Sequence, residues 1–546
     1  MCFSLYSALR SRRLLLLLLP RQTQRRFFFG SSSVARQHTT STQVVRISGL
    51  VGRGSLWMAA LVGFGIGAGC VLAHDSVSSP PASTVSCSSK FSTLKDCEAD
   101  PPALKQAVQQ SLKLLARVKN ETGAPGLTVA VAVNGKTVWT QGLGLADLEL
   151  CVPCQPDTVM RIASISKSLT MAALGRLMES GKLDLDAPVQ TYVPQFPQKV
   201  YEGEKVVITS RLLASHLSGI RHYEKDPKKV REEKAKKQGR LCAEKKRFGD
   251  GEEEVKSAGA VIPIEVEKCT VKKPQSDRGN LKARVHKVPC EYEEFYIKEK
   301  FDTVTDALKL FKDDPLIFKP GTETLYSTHA WTLLSAVVEG CSGQNFQAHM
   351  KQLFHDLGMS HTYLDQHAPI IYNRASYYKF DKKGRVKNAP YVDNSYKWAG
   401  GGFISTAPDL LTFANALLYS YQQDEGDDTL PGFLKANTVR TFWTPVPTGI
   451  LSWDRSGHFG LGWGVVDGQQ KFGCCSCSRH YLSHTGHAVG ASSVLLVLPA
   501  EMAQGDPPQG VVVAILCNLD HVGLNNTALG IAQIFERCFL QPRGTF

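Results

Sequence analysis

Met160-Arg-Ile-Ala-Ser-Ile-Ser-Lys-Ser-Leu-Thr170 places Ser164 three residues ahead of Lys167. Apolar residues Leu169, Ala173, Leu174, Leu177 and Met178 then recur at spacings of three, four or five, which predicts a helix with an apolar side. Three helical residues complete most of one turn, so Ser164 and Lys167 share a face. A serine hydroxyl needs a base within hydrogen-bond reach to become a nucleophile at neutral pH. Lysine fills that role when burial and nearby positive charge make its amine neutral. The start of a helix adds free N–H groups and a positive dipole end, which suit an oxyanion. Taken alone, Ser-x-x-Lys also fits a capped helix with a solvated lysine. Its meaning comes from what surrounds it.

Two strands and a closing helix mark the end of the chain: Ser492–Leu498, Val511–Leu516 and Leu524–Phe539. Near the start of the folded part, Leu104, Ala107, Val108, Leu112, Leu115 and Val118 predict an amphipathic helix. After it, Leu127-Thr-Val-Ala-Val-Ala-Val133, Asn134-Gly135 and Lys136–Thr140 form a β-hairpin signal. Strands at both ends predict an α/β (α+β) domain in which one antiparallel sheet draws its edges from opposite ends of the chain. Flanking helices and a mostly helical lobe complete it, and a cleft between lobe and sheet is where a site belongs. In between lie Arg211–Gly219, a helix entering a glycine turn, and a helix at Ala330–Glu339. Ala399-Gly-Gly-Gly-Phe403 opens a turn, and Ser405–Asp409 caps a helix through Leu418. Residues 223–300 are dense in Lys and Glu without sustained apolar periodicity. They read as a surface insertion, disordered or locally helical, within a domain spanning 101–546.

The formal charge of +13 does not point to nucleic acid. Much of it lies in residues 1–50, which carry many arginines and no Asp or Glu, the composition of a mitochondrial presequence. A secretory signal is the rival, but Pro20 and further arginines follow the leucine run where a small-residue cleavage site belongs. Residues 56–73 are uncharged and just long enough to span a bilayer, and 74–100 read as a disordered tether. This order suggests a sorting signal of the inner mitochondrial membrane, with the domain in the intermembrane space. Among the fifteen cysteines, Cys151-Val-Pro-Cys154 and Cys474-Cys475-Ser-Cys477 have spacings that chelate zinc, yet ordinary reduced thiols fit them better.

Five pieces now stand in order: Ser164-Ile-Ser-Lys167; Leu212-Leu-Ala-Ser-His-Leu-Ser-Gly219; Lys319-Pro-Gly-Thr-Glu-Thr-Leu-Tyr-Ser-Thr328; Ala399-Gly-Gly-Gly402 with Ser405-Thr406 and Asp409; and His484-Thr-Gly486 with Gly490. In this order the chain resembles the serine β-lactamase and penicillin-binding-protein superfamily, in its class C and D-aminopeptidase-like branch, and within it the animal mitochondrial members. The resemblance implies a β-lactamase/transpeptidase-like fold, Ser164 as the acylated nucleophile and Lys167 as its proton acceptor. It makes Tyr326 the tyrosine that assists proton transfer to the leaving group, with two ammonium groups favouring its phenolate. Tyr223 is the less favoured alternative. His484, Thr485 and Gly486 would bind substrate, and the backbone N–H groups of Ser164 and His487 would form the oxyanion hole.

Two departures from the family pattern bear on activity. His484 replaces a lysine and Thr328 replaces an asparagine, which makes efficient β-lactam hydrolysis doubtful. The resemblance thus implies a serine hydrolase, foremost a peptidase, acting on a peptide, a protein or another acyl compound without metal or organic cofactor. Its mitochondrial relatives imply homo-oligomeric filaments, association with the inner membrane and an influence on membrane organisation and lipid metabolism. The alternative is a filament-forming scaffold with weak or vestigial chemistry. Nucleic-acid binding through the lysine-rich insertion is the least favoured reading.

Overall fold

The computed structural model describes residues 102–236, 293–423, 433–446, 448–454, 456–470, 477–500 and 507–539. The presequence, the apolar segment 56–73, the tether and most of the insertion lie outside them. Among the described residues no helix is long and apolar enough to cross a membrane.

Gly126–Val133 is buried at every position, and alternation along it divides the core in two. Val129 and Val131 face a layer that contains Leu115, Val513, Ile515 and Phe535. Ala130 and Ala132 face the opposite layer, with Leu169, Trp331, Phe413, Val512 and Ala514. Period-two alternation makes both faces of this strand core, so its run is apolar throughout. The hairpin turn has positive φ at both central residues, +49° at Asn134 and +76° at Gly135, which is why the pair is Asn-Gly.

The eight-stranded antiparallel sheet runs His458–Phe459, Gly464–Val466, Tyr481–Ala488, Ala491–Pro499, Gly510–Cys517, Gly126–Val133, Lys136–Asp147, Val152–Pro153. Leu127 lies opposite Cys517 and Val133 opposite Val511. The first and last long strands therefore meet in the middle of the sheet rather than at its edges. Pairing there buries both faces, as their continuous apolar runs demand. The first helix, Pro102–Thr122, packs with the last, Asn525–Phe539, on one side of this seam. The helical lobe covers the other.

Helix Ser166–Glu179 departs from the amphipathic expectation. Eleven of its fourteen residues are buried, including Ser166, Lys167, Ser168 and Thr170. Its polar residues replace solvent with partners: Ser168 Oγ donates to the Gly462 carbonyl at 2.7 Å and Thr170 Oγ1 to that of Ala399 at 3.1 Å. A helix buried on every side is central to its domain.

The two ends of the 223–300 segment also depart from expectation, for both belong to the domain. Tyr223 is buried, residues 227–236 are helical, and Val230 packs with Ile317 and Phe318. On the far side, the Glu294 carboxylate accepts from Arg221 at 2.8 Å and from His329 Nε2 at 2.8 Å, while Arg221 also reaches Asp314 at 2.5 Å. Sequence composition could not reveal these ties because their partners are distant in the chain. Burial pushes the Glu294 carboxyl up, but the hydrogen bonds from His329 and Arg221 outweigh it and hold the group at about 2. Glu294→Ala leaves Arg221 with Asp314 as its one carboxylate among the described residues and leaves His329 Nε2 without its acceptor, and lowers the unfolding free energy by about 2 kcal/mol in a denaturant titration. The wild-type advantage is full above the ordinary carboxylate pKa of roughly 4 and is lost as pH falls through about 2.

Candidate active site

Ser164 sits in the tight turn Ala163–Ile165, directly ahead of the central helix. Ala163 has φ +47°, a conformation that costs a side-chain-bearing residue energy and persists only where neighbours enforce it. They do so from two sides. Ile162 donates its N–H to the Phe403 carbonyl at 3.1 Å, and its own carbonyl accepts from Ser493 Oγ at 2.8 Å. Gly486 closes the arrangement: a Cβ there would fall 2.3 Å from Ser493 Oγ, 2.5 Å from the Ile162 carbonyl and 3.0 Å from Ala163 Cβ.

The Ser164 hydroxyl lies 2.6 Å from the Tyr326 hydroxyl and 3.1 Å from Lys167 Nζ. Lys167 is fully buried, and its amine also donates to the Gly400 carbonyl. Burial, and then the charge of Lys397, hold its pKa well below the usual lysine value, which favours the neutral amine. Tyr326 behaves differently from the phenolate expected of it. Burial raises its pKa and outweighs the Ser164 hydrogen bond, so it stays a phenol that can donate. Tyr223 lines the same cavity but hydrogen-bonds to Thr328 and Tyr396, and burial pushes it up to about 12.

The motif Leu212–Gly219 turns out to hold the tyrosine loop. His216 Nδ1 accepts from the Ser327 N–H at 3.2 Å, its carbonyl accepts from the Leu325 N–H at 2.9 Å, and its ring packs 4.4 Å from that of Tyr326. His222 Nδ1 accepts from the Thr328 N–H at 3.3 Å. Burial above all lowers both histidines well below their ordinary value, and neutral imidazoles are what such acceptors require. Sequence reading assigned neither histidine a role; their proximity to Leu-Tyr-Ser-Thr328 is a tertiary fact.

His484-Thr-Gly486 lies within strand Tyr481–Ala488, which directly precedes and pairs with strand Ala491–Pro499. Only Thr485 of the three, followed by His487, lines the cavity. His484 is 1% exposed, its ring lies tilted against that of Trp453 with centroids 5.2 Å apart, and it donates Nδ1–H to the Thr485 carbonyl at 2.8 Å. Burial above all pushes it down to about 3, so it is neutral across the physiological range. The cation in the cavity comes from elsewhere. Lys397, 5% exposed, lines it between the rings of Phe295 and Tyr396, each 5.0 Å from its ammonium, with no hydrogen-bond partner for that ammonium among the described residues. Burial and then Arg161 lower Lys397 to about 7 against the opposing pull of Asp365 and Asp393. The cavity measures about 270 Å³ and also takes in Ser164, Tyr326, Thr328, Trp453, Asp520 and His521. As for thiolate ligands, Cys151 is exposed and Cys154 is buried, with burial pushing the Cys154 thiol up to about 12. Cys474 and Cys475 lie outside the described residues.

A serine hydroxyl between a buried neutral lysine and a protonated tyrosine, at the seam of a sheet and a helical lobe, is the arrangement of a β-lactamase-like serine hydrolase. The β-lactamase family model matches residues 104–534, and the chain belongs to that family. It is 52% identical over 452 residues to the mitochondrial serine β-lactamase-like protein LACTB of Mus musculus, covering 80% of this chain and 82% of that one. Among solved structures, EstCE1, a hydrolase with promiscuous acyltransferase activity, is 19% identical with a TM-score of 0.55, covering 79% of this chain and 99% of its own. The octameric penicillin-binding protein homologue of Pyrococcus abyssi is 19% identical with a TM-score of 0.53, covering 78% and 77%. These likenesses establish the β-lactamase/transpeptidase-like fold.

Gly486→Ala tests how tightly strand and nucleophile turn are joined. The added methyl has no vacant position beside the Ile162 carbonyl, so the substitution lowers unfolding free energy by about 1–3 kcal/mol and slows modification of Ser164 by a serine-reactive phosphonate, read by peptide mass spectrometry.

Proposed function

We propose that the protein is a serine hydrolase, foremost a peptidase, that works through an acyl-Ser164 intermediate in the mitochondrial intermembrane space. The observation that carries this reading is the buried Lys167 amine 3.1 Å from Ser164 Oγ. As Oγ attacks a substrate carbonyl, its proton passes to the Lys167 amine. The Tyr326 phenol, 2.6 Å from Oγ, donates to the leaving group and recovers its proton from the Lys167 ammonium. The N–H groups of Ser164 and His487 receive the developing oxyanion. Water then releases the acyl group by the reverse proton path. Thr485 lines the substrate side of the strand, Gly486 lets the strand lie close against the nucleophile turn, and neutral His484 supports it from within. Lys397 takes over the recognition of a substrate anion that a neutral His484 cannot supply.

Location and assembly rest on relatives. The mouse protein is named as mitochondrial, and the Pyrococcus homologue is octameric. Together with the basic presequence these support a self-associating mitochondrial enzyme; filaments, association with the inner membrane and an influence on membrane organisation and lipid metabolism are added by the family resemblance alone. No nucleic-acid partner belongs to this reading.

Phosphonate labelling separates enzyme from scaffold. The wild type carries its adduct on Ser164; Ser164→Ala abolishes it, and Lys167→Met slows it by about 10²–10⁴-fold with the fold retained by circular dichroism. An equal labelling rate in Lys167→Met would sink the mechanism. Lys397 makes a separate, pH-dependent prediction. Its cation is present below about pH 7 and lost above it, so KM for a carboxylate-bearing ester rises as pH passes upward through about 7, while KM for a neutral ester does not. Lys397→Met removes the difference at every pH.

A further inference from the structure

Beyond the acylation groups, three side chains able to ligate a metal converge on the wall of the Ser164 cavity. His487 comes from strand Tyr481–Ala488; Asp520 and His521 come from the segment after strand Gly510–Cys517. One ligand atom from each lies within 4.8 Å of the other two. His521 Nε2 stands 3.7 Å from Asp520 Oδ2, and the two imidazoles stack with centroids 6.0 Å apart. Asp520 is buried while both histidines reach solvent, so a fixed carboxylate is flanked by two rings free to adjust. Apart from its stacking on His521, the His487 ring has a single hydrogen-bond contact among the described residues, 3.5 Å to Ser492 Oγ, and that hydroxyl already donates to the Leu519 carbonyl.

Two imidazoles and one carboxylate are a zinc donor set, with bonds of about 2.0–2.2 Å. Tetrahedral bonds of that length set neighbouring donors roughly 3.3 Å apart, so rim rings starting within 4.8 Å close on an ion by modest rotation. Three protein donors leave a fourth position open, and here it faces a cavity shared with Ser164 and Tyr326. We propose that His487, Asp520 and His521 form a zinc site on the wall of the active-site cavity, and that an ion bound there obstructs substrate access to Ser164 and inhibits the hydrolase. The binding half stands on these three residues alone; the inhibitory half rests on the serine-hydrolase reading above.

The test uses the full chain with its nucleophile removed, Ser164→Ala, so that binding is measured apart from turnover. Zinc is titrated against a chromophoric chelator, and cobalt(II) is then substituted to read coordination from its visible bands. Expected is a site whose cobalt spectrum lacks the near-ultraviolet thiolate charge-transfer bands that cysteine ligation produces. His521→Gly suits the residue's left-handed backbone, φ +59°, and Asp520→Asn preserves volume, so neither threatens the fold. Each weakens zinc binding by more than about 100-fold, beyond the cost of losing a supporting partner outside the coordination sphere. In the protein with Ser164 intact, zinc inhibits hydrolysis of a neutral ester, and His521→Gly raises the inhibitory concentration by the same factor. Unchanged affinity in both variants overturns the site. Binding that is lost in both variants without any effect on ester hydrolysis by an active wild type overturns the inhibitory role. If the wild type proves inactive towards esters, it is the hydrolase reading that fails, and the cobalt spectrum still decides the site.

Discussion

A single buried amine sets the requirements for the rest of the molecule. Lys167 has no exposed surface, and taking an ammonium out of water without a counter-charge costs several kcal/mol, which lowers its pKa and favours the neutral form. That amine is useful only if it stays dry and stays 3.1 Å from Ser164. Dryness explains why helix Ser166–Glu179 is buried on all sides, an arrangement the helical lobe and the sheet provide together. Position explains the Gly400 carbonyl, which accepts from the same nitrogen and fixes it without adding negative charge that would restore the ammonium.

Serine placement obeys a second constraint, close approach of backbone. The Ala163 turn is strained, and it is held between the Phe403 strand and the strand carrying Gly486. A sheet whose first and last long strands pair at its centre gives that second strand a rigid base two positions away. The tyrosine loop is braced separately by His216 and His222, whose lone pairs accept N–H groups that would otherwise be unpaired in the interior.

The Ser-x-x-Lys pair, the Asn-Gly hairpin, the closing strands and the capped helix at Thr406 were legible because each depends on local periodicity or turn chemistry. Thr406 indeed caps the helix, accepting from the Asp409 N–H at 3.2 Å. What periodicity could not convey was environment. The ends of the charged segment read as surface, yet Tyr223 and Glu294 are core, because the partners Arg221 and His329 become neighbours only on folding. Strand Tyr481–Ala488 escaped notice because its Ser-His-Thr-Gly run lacks apolar alternation, although Ser483 and His484 are buried. The expectation of a tyrosinate failed for a related reason. It counted nearby ammonium groups and omitted the desolvation that dominates Tyr326 and removes charge from Lys167 itself.

Charge in the cavity is therefore relocated rather than lost. Where the family pattern has a lysine on the strand, this chain has His484, buried, neutral and turned to the strand's own carbonyl. A cationic residue at that point, next to Lys167, would lower the lysine's pKa further but would also need a buried counter-ion. Lys397 carries the cation from the opposite wall, where aromatic faces of Phe295 and Tyr396 stabilise it and Asp365 and Asp393 moderate its desolvation. Its positive field adds to burial, the larger cause, in lowering the Lys167 pKa. On the proposed reading Lys397 thus links substrate recognition to the base, because an anion that pairs with it also alters the proton affinity of Lys167, the group that takes the proton from Ser164.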